Sequence, residues 1–316
     1  MGREPEDWQT VRFGRWGMRG PEDPVLLAYW CVVAFLIVIS RERIPDWGWH
    51  VALHGAVVFL FLGISRVLPR TRGKFYIARF ALLNVTVFGA FTELGNVIEC
   101  IHPELADPVL IGLDEWIFGF QASQCLERWN HPVLVDLLQL AYCTYYFLPL
   151  ALGIALYRKK LYGVIDEVFF VIPASFCMTY LLYILVPATG PRFNQIFQTP
   201  LHGLAVGDFF MWLLNQMENI KRDCYPSGHT MTTLIVLVYA FRYARQTVVP
   251  FGIITSLLIF STVYLRYHYL VDVLAGAAGA VLMVLLGPIV CRAWYGRSYL
   301  TNSGLSTENI SESYVG

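Results

Sequence analysis

The chain has 316 residues, of which 56% are hydrophobic and only 15% are charged, and its formal net charge is zero. With a mean hydropathy of +0.52, it has too few polar residues to cover a soluble domain of this length. The zero net charge gives no electrostatic reason to expect nucleic acid as a partner. The seven cysteines are scattered and lack a C-x-x-C pair, which argues against a disulfide scaffold or a cysteine metal centre.

Apolar stretches recur along the chain and predict membrane-spanning helices, since about 20 apolar residues cross the hydrocarbon core. They lie near residues 25–40, 48–65, 75–95, 133–156, 164–186, 230–247, 249–266 and 269–290. Two connections have apolar residues at helical spacing but are too short to span, and predict interfacial helices near 108–120 and 206–219. The predicted fold is therefore an all-α integral membrane protein with about eight transmembrane helices.

No internal repeat or linker divides the chain, so we predict a single membrane domain over residues 25–290. Residues 1–24 lack a small-residue cleavage site and are predicted to be a cytoplasmic lead-in. Residues 291–316 end in a stretch rich in Ser, Thr, Glu and Gly, which we expect to be cytoplasmic and disordered.

Basic residues cluster at 66–74, 158–160, 242–245 and 292–297, and the positive-inside rule assigns these stretches to the cytoplasm. This orientation places 41–47, 96–132 and 187–229 on the extracytoplasmic side. Cys100, Cys125 and Cys224 fall in these outer segments. Two of them could pair there, and the sequence does not indicate which.

Three short segments at predicted span ends contain residues suited to phosphate binding and proton transfer, and all three lie on this outer side. We call them the Arg192 segment (Gly190–Arg192), the His229 segment (Cys224–Thr230) and the His268 segment (Tyr264–Asp272). In the His229 segment, Ser227 and Gly228 open a predicted helix, whose free N–H groups and positive dipole end favour an anion. His229 beside them can protonate a leaving oxygen. A plain helix cap beside a lone histidine explains this segment equally well when it is taken alone.

The other two segments favour the functional interpretation. His268 and Asp272 are four residues apart, so on a helix they share one face. A carboxylate on one imidazole nitrogen fixes the tautomer and leaves the other nitrogen as a nucleophile. The guanidinium of Arg192 matches the geometry of a phosphate and keeps its charge. A structural His–Asp pair and an arginine bound to lipid head groups are the alternatives.

Pro226–His229, followed 39 residues later by His268 and Asp272, resembles the type-2 phosphatidic acid phosphatase superfamily. The resemblance covers roughly residues 75–290 and implies a six-helix core. Two positions depart from the family pattern, because Leu185 stands where a lysine is usual and Thr262 where an arginine is usual. We expect Arg266 to supply the missing charge.

These departures resemble the aureobasidin-resistance branch, which includes inositol phosphorylceramide synthases. The stretches 110–119, 141–149 and 186–193 share that resemblance. The resemblance implies that His268, oriented by Asp272, attacks phosphorus and that His229 acts as general acid and base. It also implies that Arg192, Ser227, Gly228 and Arg266 hold the phosphoryl group, with no metal or cofactor.

The resemblance predicts a lipid phosphatase or phosphotransferase that acts on a lipid phosphate or phosphodiester, with transfer of inositol phosphate to a lipid alcohol as one form. The alternatives are simple hydrolysis of phosphatidate or a polyprenyl diphosphate, and a non-catalytic binder or transporter of lipid phosphates. The head group, the acceptor and the oligomeric state stay open. We expect the active site on the extracytoplasmic face of a bacterial plasma membrane.

Overall fold

A computed structural model describes residue 18 and residues 20–68, 72–217 and 221–296. The predicted lead-in up to residue 17 and the tail from residue 297 lie outside these residues. In the described part, helices form the only regular secondary structure. The α-helices are α1 Glu22–Ile39, α2 Trp47–Val67, α3 Arg72–Ile101, α4 Asp107–Phe118, α5 Ala122–Leu126, α6 Pro132–Cys143, α7 Leu148–Arg158, α8 Tyr162–Leu185, α9 Pro191–Asn194, α10 Ala205–Met217, α11 Gly228–Tyr243, α12 Val248–Tyr264 and α13 Leu270–Tyr295.

Six helices in the described residues are long and apolar enough to cross a membrane, and a seventh span is present if the bent pair α6 and α7 counts as one. The six are α1, α2, α3, α8, α12 and α13. These helices confirm the predicted all-α fold and make the chain a multi-pass membrane protein. The predicted interfacial helices correspond to α4 and α10.

The prediction of about eight spans needs correction at two places. The predicted span at 230–247 corresponds to α11, which has only 16 residues. At 1.5 Å per residue it is about 24 Å long, shorter than a typical hydrocarbon core. The predicted span at 133–156 is broken between α6 and α7, which are bent by 52°. Pro149 in the first turn of α7 lacks an N–H, so the helical hydrogen bonds of α6 cannot continue through it.

Backbone packing divides the chain into two compact units. The first comprises Met1–Phe91, Leu161–Cys177 and Leu286–Gly316. In its described part, the fully buried Arg79 forms ion pairs with Glu22 and Asp23 and lies 3.4 Å from the Ser65 hydroxyl. Because an unpaired buried charge is costly, this cluster allows charged side chains to lie among apolar helices.

The second unit comprises Thr92–Lys160 and Met178–Leu285, and it contains the three segments singled out from the sequence. Within it, α12 packs against α11 and α6, and α6 packs against α10. Val135, Leu138 and Leu265 are among the buried residues of its larger apolar core cluster. A second cluster joins Leu110 of α4 to Ala188, Cys224 and Tyr269, one residue from each neighbouring stretch. This small core packs the His229 and His268 segments against the residues that precede the Arg192 segment.

Candidate active site

The three segments surround one cavity of about 300 Å³ in the second unit. Four of the residues singled out from the sequence line it: Arg192, His229, Arg266 and His268. Backbone hydrogen bonds join the segments, because the amide of Arg192 donates to the carbonyl of Arg266 at 2.9 Å. The amide of Ser227 likewise donates to the carbonyl of Asp272 at 3.0 Å. The predicted meeting of the segments is therefore present in the fold.

His268 is held mainly by a backbone carbonyl. Its Nδ1 lies 2.7 Å from the carbonyl oxygen of Cys224 and 3.5 Å from Oδ2 of Asp272. Because a carbonyl oxygen can only accept, Nδ1 carries the proton in this bond, which leaves Nε2 with its lone pair. The expectation that His268 and Asp272 share a helix face is wrong, since α13 begins only at Leu270. The two side chains meet across the turn that starts the helix.

Asp272 is fully buried and holds neighbouring groups in place through hydrogen bonds. Its Oδ2 accepts the amide of Tyr269 at 2.8 Å and the thiol of Cys224 at 2.8 Å. Burial, reinforced by the Asp272 carboxylate, raises the pKa of the Cys224 thiol well above its usual value. The thiol therefore stays protonated and serves as a donor. Asp272 thus fixes both the turn that carries His268 and the residue whose carbonyl binds it.

His229 lies against two tyrosine rings. The ring centroids of Tyr142 and Tyr145 lie 4.3 Å and 4.1 Å from that of His229. The His268 ring is 6.0 Å away. Nε2 of His229 is buried and has no hydrogen-bond partner in the described part of the chain. A buried imidazole nitrogen without a partner is a free position for proton exchange with a bound molecule.

The two arginines have different surroundings. The Arg192 guanidinium lies 4.6 Å from the ring centroid of Phe193 and 5.3 Å from that of Tyr267. Arg266 donates to the carbonyl of Thr199 at 3.0 Å and lies 3.6 Å from the carboxylate of Glu127. Burial lowers the pKa of Arg266, and the Glu127 carboxylate acts in the opposite direction. Much of the charge of Arg266 is therefore already neutralised.

Ser227 and Gly228 are not among the residues that line the cavity. The Ser227 hydroxyl caps α11 by accepting the amide of Thr230 at 3.2 Å, and its own amide is bonded to Asp272. This geometry gives Ser227 the helix-cap role that the sequence left as an alternative. A role of Ser227 and Gly228 in phosphate binding remains a prediction.

Two carboxylates of α4 support the site, and the sequence analysis did not single them out. Asp107 accepts the amides of Thr189 and Gly190 at 2.9 and 2.8 Å, and the Tyr269 hydroxyl at 2.9 Å. It thereby ties the Arg192 segment to the His268 segment. The seven-residue spacing between Asp107 and Asp114 places both on one face of α4, and this periodicity is the signal that could have identified them.

Asp114 acts at the start of α13. Its carboxylate accepts the amides of Leu270 and Val271 at 3.0 and 2.8 Å, two of the N–H groups that a helix start leaves without partners. Burial raises the pKa of Asp114, and these two amide bonds act against that shift. The carboxylate therefore anchors the helix that carries Asp272.

Lys221 and Asp223 also line the cavity and were not predicted. Both precede His229 within eight residues, and this proximity was the available signal. Burial raises the pKa of Asp223 to about 6, opposed by the nearby His268 and Arg192. Leu185, which replaces the usual lysine of the resembled family, is 66% exposed and does not line the cavity. Lys221 provides a cation there instead.

Sγ of Cys224, Nδ1 of His268 and Oδ2 of Asp272 lie within 4.8 Å of one another, close enough to share a metal ion. All three atoms are already joined by hydrogen bonds to one another or to the Cys224 carbonyl. A metal would have to replace these bonds, so we assign the atoms to the positioning of His268. All seven cysteines are free thiols in this structure, including the three for which a disulfide was considered.

Comparisons with known proteins place these residues in a family context. No solved structure matches the chain. A PA-phosphatase related-family protein of Dictyostelium discoideum is 24% identical over 174 residues, which are 48% of this chain and 32% of that protein. The match thus spans about a third of the relative. Because this organism is a eukaryote, the match gives no support to a bacterial membrane.

A family comparison covers the site itself. The family described as the PAP2 superfamily matches residues 109–286, which include Arg192, His229, His268 and Asp272. The match extends over more than half of the chain and contains most of α4 and the bent pair α6 and α7. On this evidence, the chain belongs to the PAP2 superfamily.

Proposed function

We propose that this protein is a membrane enzyme that cleaves lipid phosphates through a phosphohistidine on His268. The observation that carries the proposal is the pair of imidazoles, whose ring centroids are 6.0 Å apart at one cavity with Arg192 beside them. A tetrahedral phosphorus between the rings would have a nucleophile on one side and a proton donor on the other. Family membership and the phosphatase name of the Dictyostelium relative agree with this chemistry.

In the first step, Nε2 of His268 attacks phosphorus, and the bond from phosphorus to the leaving lipid oxygen breaks. Burial and the neighbouring His268 lower the pKa of His229, so the negative charge of the bound phosphate is what stabilises its protonated form. Protonated His229 gives its proton to the leaving oxygen, and the lipid leaves as a neutral alcohol. The Cys224 carbonyl holds the Nδ1 proton of His268 while its ring gains positive charge. Arg192 and Lys221 offset the negative charge on the phosphoryl oxygens.

In the second step, an acceptor hydroxyl attacks the phosphohistidine and gives its proton to His229. The bond between phosphorus and nitrogen breaks, and His268 is regenerated. Water as the acceptor makes the enzyme a phosphatase, while a lipid alcohol makes it a phosphotransferase. We propose the phosphatase as the basic activity. Transfer of inositol phosphate rests on the resemblance to the aureobasidin-resistance branch at Leu185 and Thr262.

We further propose that this site faces the extracytoplasmic side. His229 lies at the start of α11, and Arg242 and Arg245 lie at its other end, about 24 Å away along the helix. The Lys159 ammonium donates to the carbonyl of Tyr243 at 3.1 Å, so the basic end of α7 lies at that same end. Basic connections favour the cytoplasm, which supports an outward-facing site.

The test is turnover of labelled phosphatidate, polyprenyl diphosphate and phosphatidylinositol by protein purified in detergent, with and without a chelator. Ceramide or diacylglycerol is added as acceptor in parallel reactions. We expect wild type to release a phosphate product and His268→Ala to lose at least about a thousandfold in kcat. His202→Ala, outside the cavity, is the matched control and should retain activity.

A base-stable, acid-labile label on wild type and its absence from His268→Ala would support the phosphohistidine. A phosphate product without acceptor supports hydrolysis, whereas a new phospholipid formed only with acceptor supports transfer. Equal turnover by wild type and His268→Ala would overturn the enzyme mechanism. Undiminished binding of lipid phosphate without any turnover would favour the binder alternative.

A further inference from the structure

Two tyrosines at the break between α6 and α7 contact His229, and the proposed mechanism gives them no role. Tyr142 lies in the last turn of α6, and Tyr145 lies in the 3₁₀ turn Thr144–Tyr146 that follows it. Side chains three residues apart eclipse one another in such a turn, so the two rings point to the same side of the chain. Both side chains are buried. The break in the helix therefore presents a pair of aromatic rings to one neighbour.

That neighbour is the imidazole of His229. Its ring centroid lies 4.3 Å from that of Tyr142 and 4.1 Å from that of Tyr145, with the ring planes inclined by 28° and 36°. At these short distances and small angles, the rings meet the imidazole with their faces rather than their edges. The face of an aromatic ring is negative and attracts a cation within about 6 Å of its centroid. The contacts therefore favour an imidazolium over a neutral imidazole.

The proposed mechanism requires His229 to carry a proton in surroundings that oppose positive charge. Burial lowers the pKa of His229, and the neighbouring His268 lowers it further. Nε2 of His229 has no hydrogen-bond partner among the described residues, so no protein acceptor compensates at that atom. A bound phosphate compensates only while it occupies the cavity. The two tyrosine faces, by contrast, are a permanent part of the fold.

We propose that Tyr142 and Tyr145 are positioning residues that stabilise the protonated form of His229 through cation–π contacts. This inference rests on the proposed function, because it concerns the proton that His229 gives to the leaving oxygen. The contacts also fix the plane of the imidazole, which lines the cavity. The tyrosine rings take no part in making or breaking bonds.

Other titratable groups surround His229, and each of them affects its charge. The His268 ring centroid lies 6.0 Å from that of His229. The remaining groups are Arg192, Lys221, Asp223, Arg266 and Tyr267 at the cavity, and Tyr183 of α8 beside Gly228. Wild type and the tyrosine variants share all of these groups. A difference in the pKa of His229 between these proteins therefore reports the two rings.

The test is an NMR titration of ¹⁵N-histidine-labelled full-length protein in detergent between pH 5 and 8, with saturating sulfate in place of the phosphate group. The spectrum of His229→Gln assigns the His229 signals by their absence. We expect Tyr142→Leu and Tyr145→Leu each to lower the pKa of His229 by at least about half a unit. Tyr142→Phe and Tyr145→Phe keep the ring and should restore it. Exposed Tyr146→Leu, in the same turn, is the matched control and should leave the pKa unchanged.

The sign of the shift separates this role from simple packing. If the rings only exclude water, their removal hydrates His229 and raises its pKa, which would overturn the inference. An unchanged pKa in both leucine variants, or a wild-type His229 that stays neutral down to pH 5 with sulfate bound, would overturn it too. Pentafluorophenylalanine at position 142 keeps the ring but removes its negative face. It should lower the pKa even if the leucine variants fail to fold.

Turnover of phosphatidate is measured on the same proteins. We expect the leucine variants to have a lower kcat/KM at pH 7.5 and to approach wild type as the pH falls, because His229 is then protonated without the rings. A pH-independent loss of kcat/KM would contradict a role through the His229 proton. Absence of wild-type turnover on every lipid would refute the proposed function, while the NMR titration would still decide whether the rings stabilise the imidazolium.

Discussion

At the scale of single residues, backbone groups position the side chains that surround the cavity. The Cys224 carbonyl fixes the tautomer of His268, and the backbone of Arg266 binds the amide of Arg192. Backbone partners cannot be removed by changing a side chain. Mutation of Cys224 therefore removes its thiol bond to Asp272 but leaves the carbonyl that binds His268. The clearest effects are therefore expected from substitutions that change the shape of a charged group or that strain the backbone.

Arg192→Lys keeps the positive charge but removes the planar guanidinium, which binds two phosphate oxygens at once. We expect kcat/KM for a lipid phosphate to fall at least about tenfold, equivalent to about 1.4 kcal/mol of transition-state stabilisation. Arg222→Lys is the control, since Arg222 binds the carbonyls of His102 and Pro103 outside the cavity. Steady-state kinetics of both variants checks this, and equal effects would contradict the role of Arg192.

Gly190→Ala should destabilise the protein. Gly190 has φ of +87°, and a Cβ there would lie 2.5 Å from the carbonyl oxygen of Tyr267. A left-handed conformation alone costs a non-glycine residue about 1–2 kcal/mol, and the backbone contact adds to that cost. Gly112→Ala in α4 meets no atom within 4 Å and should be neutral or stabilising by up to about 1 kcal/mol. Thermal unfolding in detergent compares the two, and equal melting temperatures would refute the steric argument.

At the scale of elements, the short helix α4 organises the site without lining the cavity. One face presents Asp107 to the Arg192 segment and Asp114 to the start of α13. Its opposite surface is apolar and exposed, with Trp116 82% exposed. A helix with this pattern is suited to the membrane interface on its apolar side and packs against the three segments on the other. Its buried carboxylates therefore link the Arg192 segment to the helix start that follows His268.

Asp114→Ala removes the acceptor for the amides of Leu270 and Val271 and should shift the start of α13. Because each hydrogen bond to a charged group contributes about 1.5–3 kcal/mol, we expect lower thermal stability. The larger effect should be on kcat rather than KM, since Asp272 lies on this helix start. Asp114→Asn keeps one acceptor and should recover part of kcat, while exposed Glu115→Ala should resemble wild type. A loss confined to KM would argue against a positioning role.

At the scale of the whole molecule, the predicted orientation in the membrane can be tested by chemical labelling. Cys125 is exposed and lies in a segment predicted to be outside, whereas Gln246 lies in the basic connection between α11 and α12. A membrane-impermeant maleimide applied to right-side-out vesicles should modify Cys125. It should modify Gln246→Cys only after the membrane is permeabilised, because basic connections favour the cytoplasm. Peptide mass spectrometry measures both sites, and the reverse pattern would invert the proposed topology.

The sequence by itself determined the all-α membrane fold and the two short helices α4 and α10 between the spans. These features depend on apolar runs and helical periodicity, which are local properties. It also predicted Arg192, His229 and His268 as site residues from their types and spacing, and the structure places all three at one cavity. It predicted α11 as a span and missed the break before α7, since hydropathy reports neither helix length nor a bend at Pro149.

Only the tertiary structure decided how these residues are held. Asp107 and Tyr269, which share a hydrogen bond, are 162 residues apart, and Cys224 and His268 are 44 apart. No periodicity links such distant positions, because they meet only when helices pack. The pairing of Arg266 with Glu127 likewise joins two distant stretches of the chain. The local sequence pattern therefore predicted the site side chains, whereas long-range packing fixed their orientation, tautomer and ion pairing.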